Sequence, residues 1–129
     1  MSQMNWDREV DVLVVGTGNG GLTAAVCNWE MGTKDVLIIE KQDKVGGTSA
    51  TSGGGIWIPN THYAKEVGAE DSPEDAKAYL MNTLFGEDVP EEMIDIYLEK
   101  APEMLKYLHD RTDVRYESLA EYPDYYTHM

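Results

Sequence analysis

Apolar residues are most continuous near the start of the chain. Val10-Asp11-Val12-Leu13-Val14-Val15 is almost unbroken and rich in β-branched residues, the pattern of a strand buried on both faces of a parallel sheet. The run breaks into Gly16-Thr17-Gly18-Asn19-Gly20-Gly21, after which Leu22 to Met31 reads as a helix and Gly32 suits the position just past its end. Val36-Leu37-Ile38-Ile39 predicts a second buried strand ending in Glu40. Together these segments predict a β-α-β unit of about 30 residues.

The pattern changes after Lys44. Val45 to Gly55 holds five glycines among Thr and Ser, which predicts a loop, and Ile56-Trp57-Ile58-Pro59 follows as a short apolar segment. Ser72-Pro73-Glu74-Asp75 supplies an N-cap, a proline at the first helical position and an acidic first turn, opening a helix to about Phe85. A further helix is expected over Asp88 to Lys100, with Met93, Ile94, Tyr97 and Leu98 as its apolar stripe. Pro102 is expected to begin a new turn continuing through Met104, Leu105 and Leu108. Tyr116 to Met129 is rich in tyrosine and has no clear period. Two strands and four helices do not close a doubly wound sheet, so the expectation is a fragment completed by the rest of its own polypeptide.

Composition narrows the function classes. The 129 residues carry a formal net charge of −14, with no basic patch to displace counterions, so nucleic acid and anionic membranes are not expected partners. No apolar run approaches the roughly 20 residues that a membrane-spanning helix needs. Met1 to Glu9 lacks the apolar core of a secretory signal, and the lone Cys27 has no internal partner, so a cytoplasmic setting is expected. His62, His109 and His128 are scattered, with no metal-ligand spacing.

The chemistry sits in the glycine runs. Gly16-x-Gly18-x-x-Gly21 lies between a predicted strand and a predicted helix, where each glycine has a task. Gly16 permits the turn out of the strand, Gly18 lets a pyrophosphate approach the backbone, and Gly21 lets helix and strand pack closely. The helix start, with Asn19 and Gly20, offers N–H groups to the phosphates. Glu40 lies nineteen positions after Gly21 and suits the ribose hydroxyls of an adenosine, while repelling a 2′-phosphate. This motif marks a dinucleotide without choosing between FAD and NAD. The segment after Glu40-Lys41 makes that choice. An NAD-binding unit normally proceeds into another helix, whereas here Gly46-Gly47-Thr48-Ser49 and Ser52-Gly53-Gly54-Gly55 form a second glycine loop. Its backbone can lie along an extended ligand and its hydroxyls can reach phosphate and flavin edges. FAD is the expected cofactor, and an NAD-binding module is disfavoured.

These segments, with Ile56-Trp57-Ile58-Pro59, make the chain similar to the flavoprotein group of fumarate reductases and 3-ketosteroid dehydrogenases, and most of all to the Δ1-dehydrogenase branch. Thr17 and Asn19 stand where that group often carries Ser and Ala or Gly. The resemblance implies an α/β fold, a Rossmann-like FAD-binding β-α-β unit plus helices, as an incomplete fragment of a two-domain flavoprotein. Residues 1–60 would be the FAD-binding segment, and residues 61–129 a helical segment leading into a Tyr-rich start of the substrate-facing region. It further implies hydride transfer from a small, hydrophobic, steroid-like substrate to flavin, with the electron acceptor left open. The isolated chain is expected to be inactive and to bind FAD weakly or not at all. Another member of the group, such as a Δ4-dehydrogenase or a fumarate-reductase-like enzyme, and an inactive truncated product are the alternatives. Tyr122-Pro123-Asp124-Tyr125-Tyr126 matches a family segment whose last tyrosine assists the proton-abstracting tyrosine, which maps to Tyr126. From the residues alone, these rings read as loop packing.

Overall fold

A computed structural model describes residues 5–122 together with Tyr125 and Tyr126; it divides into one unit up to Ile56 and a second from Trp57 onward. In the first unit, strand β1 (Val12–Val15) leads through the glycine turn into helix α1 (Asn19–Glu30), and strand β2 (Val36–Ile39) returns beside β1. The two strands pair in parallel, with Val12 opposite Val36 and Val15 opposite Ile39. The result is an α/β arrangement of helices and a small two-stranded parallel sheet, with a short helix α2 (Gly47–Thr51) in the second glycine segment.

Helix α1 starts three residues earlier than its apolar pattern suggested, because the glycines themselves form its first turn. Gly21 sets this geometry: a Cβ there would overlap the Gly16 carbonyl oxygen and come within 3.4 Å of Val14 Cγ1. The helix ends as predicted at Gly32, where φ is +108°. Thr33 N–H donates to Asn28 O and Gly32 N–H to Trp29 O, the paired bonds that close a Schellman turn. The expectation that both strand faces are buried fails within this chain. Val14 is buried, yet Leu13 and Val15 are 53% and 76% exposed, since among the described residues the sheet has only two strands, with α1 packed on it.

The second unit contains α3 (His62–Glu66), α4 (Pro73–Thr83) and α5 (Glu91–Arg111). The α3 turn has too few residues for periodicity to reveal it, and Thr61 caps it by accepting the Ala64 N–H at 3.1 Å. The predicted break at Pro102 is corrected: α5 runs through it as one helix of 21 residues. Proline removes one backbone donor, but Ile94, Ala101, Leu105 and Leu108 form one buried stripe on both sides of it, and that burial outweighs the lost bond. Helix α4 packs on α5, where Lys77 bridges Glu91 at 2.7 Å and Asp95 at 2.6 Å. Trp57 stacks on Tyr79 at 5.3 Å, and the Tyr97 hydroxyl donates to the Trp57 carbonyl.

Candidate dinucleotide site

The parallel register determines which residues meet beyond the strand ends. Val15 lies opposite Ile39, and Gly16 N–H donates to Ile39 O at 2.7 Å, so the next residues on each strand, Thr17 and Glu40, become neighbours. Glu40 Oε2 accepts both the Thr17 N–H at 3.0 Å and the Thr17 hydroxyl at 2.5 Å, while Oε1 accepts the Gln42 N–H at 3.0 Å. These donors favour the ionised form. Led by the Thr17 hydroxyl, then by Gln42 and the Thr17 amide, with a smaller share from Lys41, they lower the Glu40 pKa from 4.5 to about 2. The carboxylate is therefore anionic across the neutral range. What its bonds contribute to the folded state is intact above pH 4.5 and fades as pH falls towards 2.

An open cleft of about 390 Å³ adjoins this carboxylate, lined by Val15, Gly16, Ile39, Glu40 and Lys41. It lies at the carboxyl ends of the strands, where open α/β sheets bind ligands. Gly16 makes the turn with φ +95°, a conformation that favours glycine. At the start of α1, Gly18 is the N-cap and supplies no side-chain cap, and the first turn carries no carboxylate. The N–H groups of Asn19, Gly20 and Gly21 have no partner within the helix. The Asn19 N–H reaches Ser49 Oγ at 3.2 Å.

The second glycine segment lies against the first. Gly46 N–H donates to Thr17 Oγ1 at 2.8 Å, and a Cβ on Gly47 would stand 3.9 Å from Gly18 Cα. Gly46 has φ +106° and no room for a Cβ beside Ala50. Ser49 closes the contact at Asn19. Thr48 O accepts the Thr51 hydroxyl at 3.0 Å, and Ser52 Oγ, which donates to Ser49 O, accepts the Gly54 N–H. Around Gly53 and Gly54 a Cβ would meet nothing within 4 Å, so this stretch has open space beside it. A bare glycine approach to a helix start, an ionised carboxylate at a strand end and a second segment held alongside fit the phosphate and ribose of a dinucleotide.

Residues 11–123 match the FAD binding domain family. The chain belongs to this family. FAD is its cofactor, as the second glycine segment predicted. The 3-oxosteroid 1-dehydrogenase of Mycolicibacterium smegmatis is 40% identical over 119 residues, covering 92% of this chain and 21% of that protein. A protein of the same name from Mycobacterium tuberculosis is 42% identical over 119 residues, with the same coverage of both chains. The 4-oxocyclohexanecarboxylate 2-dehydrogenase of Sinomonas cyclohexanicum is 38% identical over 115 residues, covering 89% of this chain and 20% of its own. This FAD-binding chain thus spans about a fifth of the length of the relatives it matches.

Tyr126, the tyrosine expected at a proton transfer, belongs to the second unit, is half-buried and meets Phe85 edge-on at 5.5 Å. Tyr122 and Tyr125 bring their hydroxyls to 3.5 Å; Pro123, Asp124 and His128 lie outside the described residues. Two histidines that look scattered in sequence meet in the fold, His62 and His109 lying 4.9 Å apart between ring centroids. Among the described residues no three His, Cys, Asp or Glu side chains gather as a metal site, and no helix is long and apolar enough to cross a membrane. The sequence motif overlooked Thr17 and Gln42, which hold Glu40. The register offered the signal, since a hydroxyl two residues past one strand falls beside a carboxylate one residue past its neighbour.

Proposed function

We propose that this chain is the nucleotide-binding part of a longer FAD-dependent dehydrogenase acting on a 3-ketosteroid-like substrate, with β1-α1-β2 as a Rossmann-like unit. The observation that carries the reading is the joining of two glycine segments through Gly46 and Thr17, Gly47 and Gly18, and Ser49 and Asn19. A single segment serves any dinucleotide, whereas a second one alongside suits the extended FAD. The names of the relatives support a cyclic ketone as substrate and 3-ketosteroids as its class.

In this reading the N–H groups of Asn19, Gly20 and Gly21 bind the pyrophosphate, and Gly18 admits it to the backbone. Glu40 accepts ribose hydroxyls, with Lys41 beside it in the cleft wall. Gly46, Gly47, Thr48, Ser49, Ser52, Gly53 and Gly54 lie along the rest of the cofactor. When bound, FAD supplies an acceptor for a hydride. Residues 61–129 lead into the substrate-facing region, where Tyr126 assists a proton transfer through its hydroxyl. An ordinary tyrosine pKa near 10 makes it a partner to another base rather than a base by itself. A cytoplasmic setting belongs to the same proposal and is supported by the free thiol of the lone Cys27.

The test mixes the full-length enzyme with 3-ketosteroids and an artificial electron acceptor, while following flavin absorbance. Steroid-dependent flavin bleaching and acceptor reduction are expected. Turnover of fumarate with none of 3-ketosteroids would sink the substrate assignment.

A further inference from the structure

Thr17 is one of two buried polar residues among those described, only 5% exposed, and no motif assigns it a task. Burying a hydroxyl is unfavourable unless its donor and acceptor capacities are both used. Here both are, and by different parts of the site: the oxygen accepts Gly46 N–H from the second glycine segment and donates its proton to Glu40 Oε2 at the end of β2. The amide of the same residue, in the turn after β1, donates to that oxygen as well. Three separate pieces of chain therefore converge on one side chain. Such a series, N–H to hydroxyl to carboxylate, strengthens each bond by polarising the next. Its consequence for Glu40 is an asymmetry. Oε2 is engaged twice by Thr17, while Oε1 accepts the Gln42 N–H.

We propose that Thr17 is the positioning residue of the adenosine-ribose site: it fixes Glu40 through Oε2 so that Oε1 receives a ribose hydroxyl, and through Gly46 it holds the second glycine segment against the first. This rests on the FAD reading above. Thr17 touches no ligand atom in this scheme and acts through its two partners. The lowered pKa of Glu40 agrees, since the largest cause is the Thr17 hydroxyl.

The experiment is an FAD titration of the full-length apoenzyme, read by quenching of flavin fluorescence, with a thermal melt of each variant. Thr17→Val removes the hydroxyl at nearly constant volume and is expected to weaken FAD binding about tenfold, the scale of one charge-assisted hydrogen bond. Thr17→Ala carries the same expectation and replaces it should the valine variant not fold. Thr17→Ser keeps the hydroxyl and is expected to bind FAD as the wild type does, which a role in packing the threonine methyl would not allow. Combined with Glu40→Gln, Thr17→Val is expected to add little further loss, because the two residues act as one unit. Wild-type affinity in both Thr17→Val and Thr17→Ala, a Ser variant as weak as Val, or full additivity with Glu40→Gln would each overturn the inference. Wild-type enzyme that binds no FAD brings down the FAD reading itself, and this inference with it.

Discussion

Helices α1 and α4 begin in opposite ways. At α4, Ser72 Oγ accepts the Asp75 N–H at 3.0 Å and returns its proton to Asp75 Oδ2 at 2.7 Å; Pro73 at the first position has no N–H to satisfy, and Glu74 and Asp75 place negative charge against the dipole. This helix start is filled from its own sequence. At α1 the cap is Gly18, the first turn has no acid, and the side-chain acceptor that the Asn19 amide finds among the described residues, Ser49, comes from thirty residues away. A helix built only for stability supplies its own partners for its orphan donors. One that leaves them to glycine and a distant hydroxyl keeps them available for an anion, and takes its stability from elsewhere. For α1 that support is the Gly21–Gly16 approach at one end and the Schellman turn at the other.

The sharpest way to break this contrast is Gly18→Ala. Inside the protein the new methyl meets only Ser49 Oγ at 3.9 Å, an ordinary contact, so stability is expected to fall by no more than about 1 kcal/mol, the scale of an N-cap change. Towards the pyrophosphate the methyl occupies the approach itself. FAD affinity is expected to drop about 100-fold, near the upper end of the roughly 1–3 kcal/mol that an extra methyl costs in a tight site. Unchanged FAD affinity in that variant, measured by fluorescence titration, would mean that the phosphates do not come to this helix.

Ser72→Ala is the counterpart at α4 and should do the reverse. It leaves the Asp75 N–H without its cap and is expected to cost about 1 kcal/mol of stability by chemical denaturation. FAD affinity should stay at the wild-type value. A loss of affinity matching that of Gly18→Ala would show that any weakened helix start impairs binding, and the distinction between the two ends would disappear.

Local chemistry explains what the sequence made legible. β2, whose apolar run ends at Glu40, and α4, whose cap and proline stand side by side, depend on neighbouring residues, and both begin where their patterns indicate. The start of α1 and the passage of α5 through Pro102 depend on packing between distant residues, which a local pattern does not contain: Gly21 against Gly16 in one case, a buried stripe from Ile94 to Leu108 in the other. The same division holds in the site. Gly16, Gly18, Gly21 and Glu40 follow from spacing along one β-α-β unit. The role of Thr17 emerges only once the parallel register sets it beside Glu40 and the second glycine segment brings Gly46 to its hydroxyl.

The finest test concerns Ser49. If its hydroxyl stands in at the Asn19 N–H until a ligand oxygen arrives, removing it costs the exposed apo protein little, because water can take the vacated bond. With FAD bound, the same hydroxyl would be free to donate to phosphate while α2 stays in place, so its loss would appear in binding. Ser49→Ala is therefore expected to leave the melting temperature unchanged and to weaken FAD about threefold, the lower range of a single neutral hydrogen bond. The opposite pattern, a lowered melting temperature with unaltered affinity, would make Ser49 a fixed cap like Ser72, supplied across space rather than along the chain. The start of α1 would then count as filled, and the phosphate would have only the Gly20 and Gly21 amides to bind.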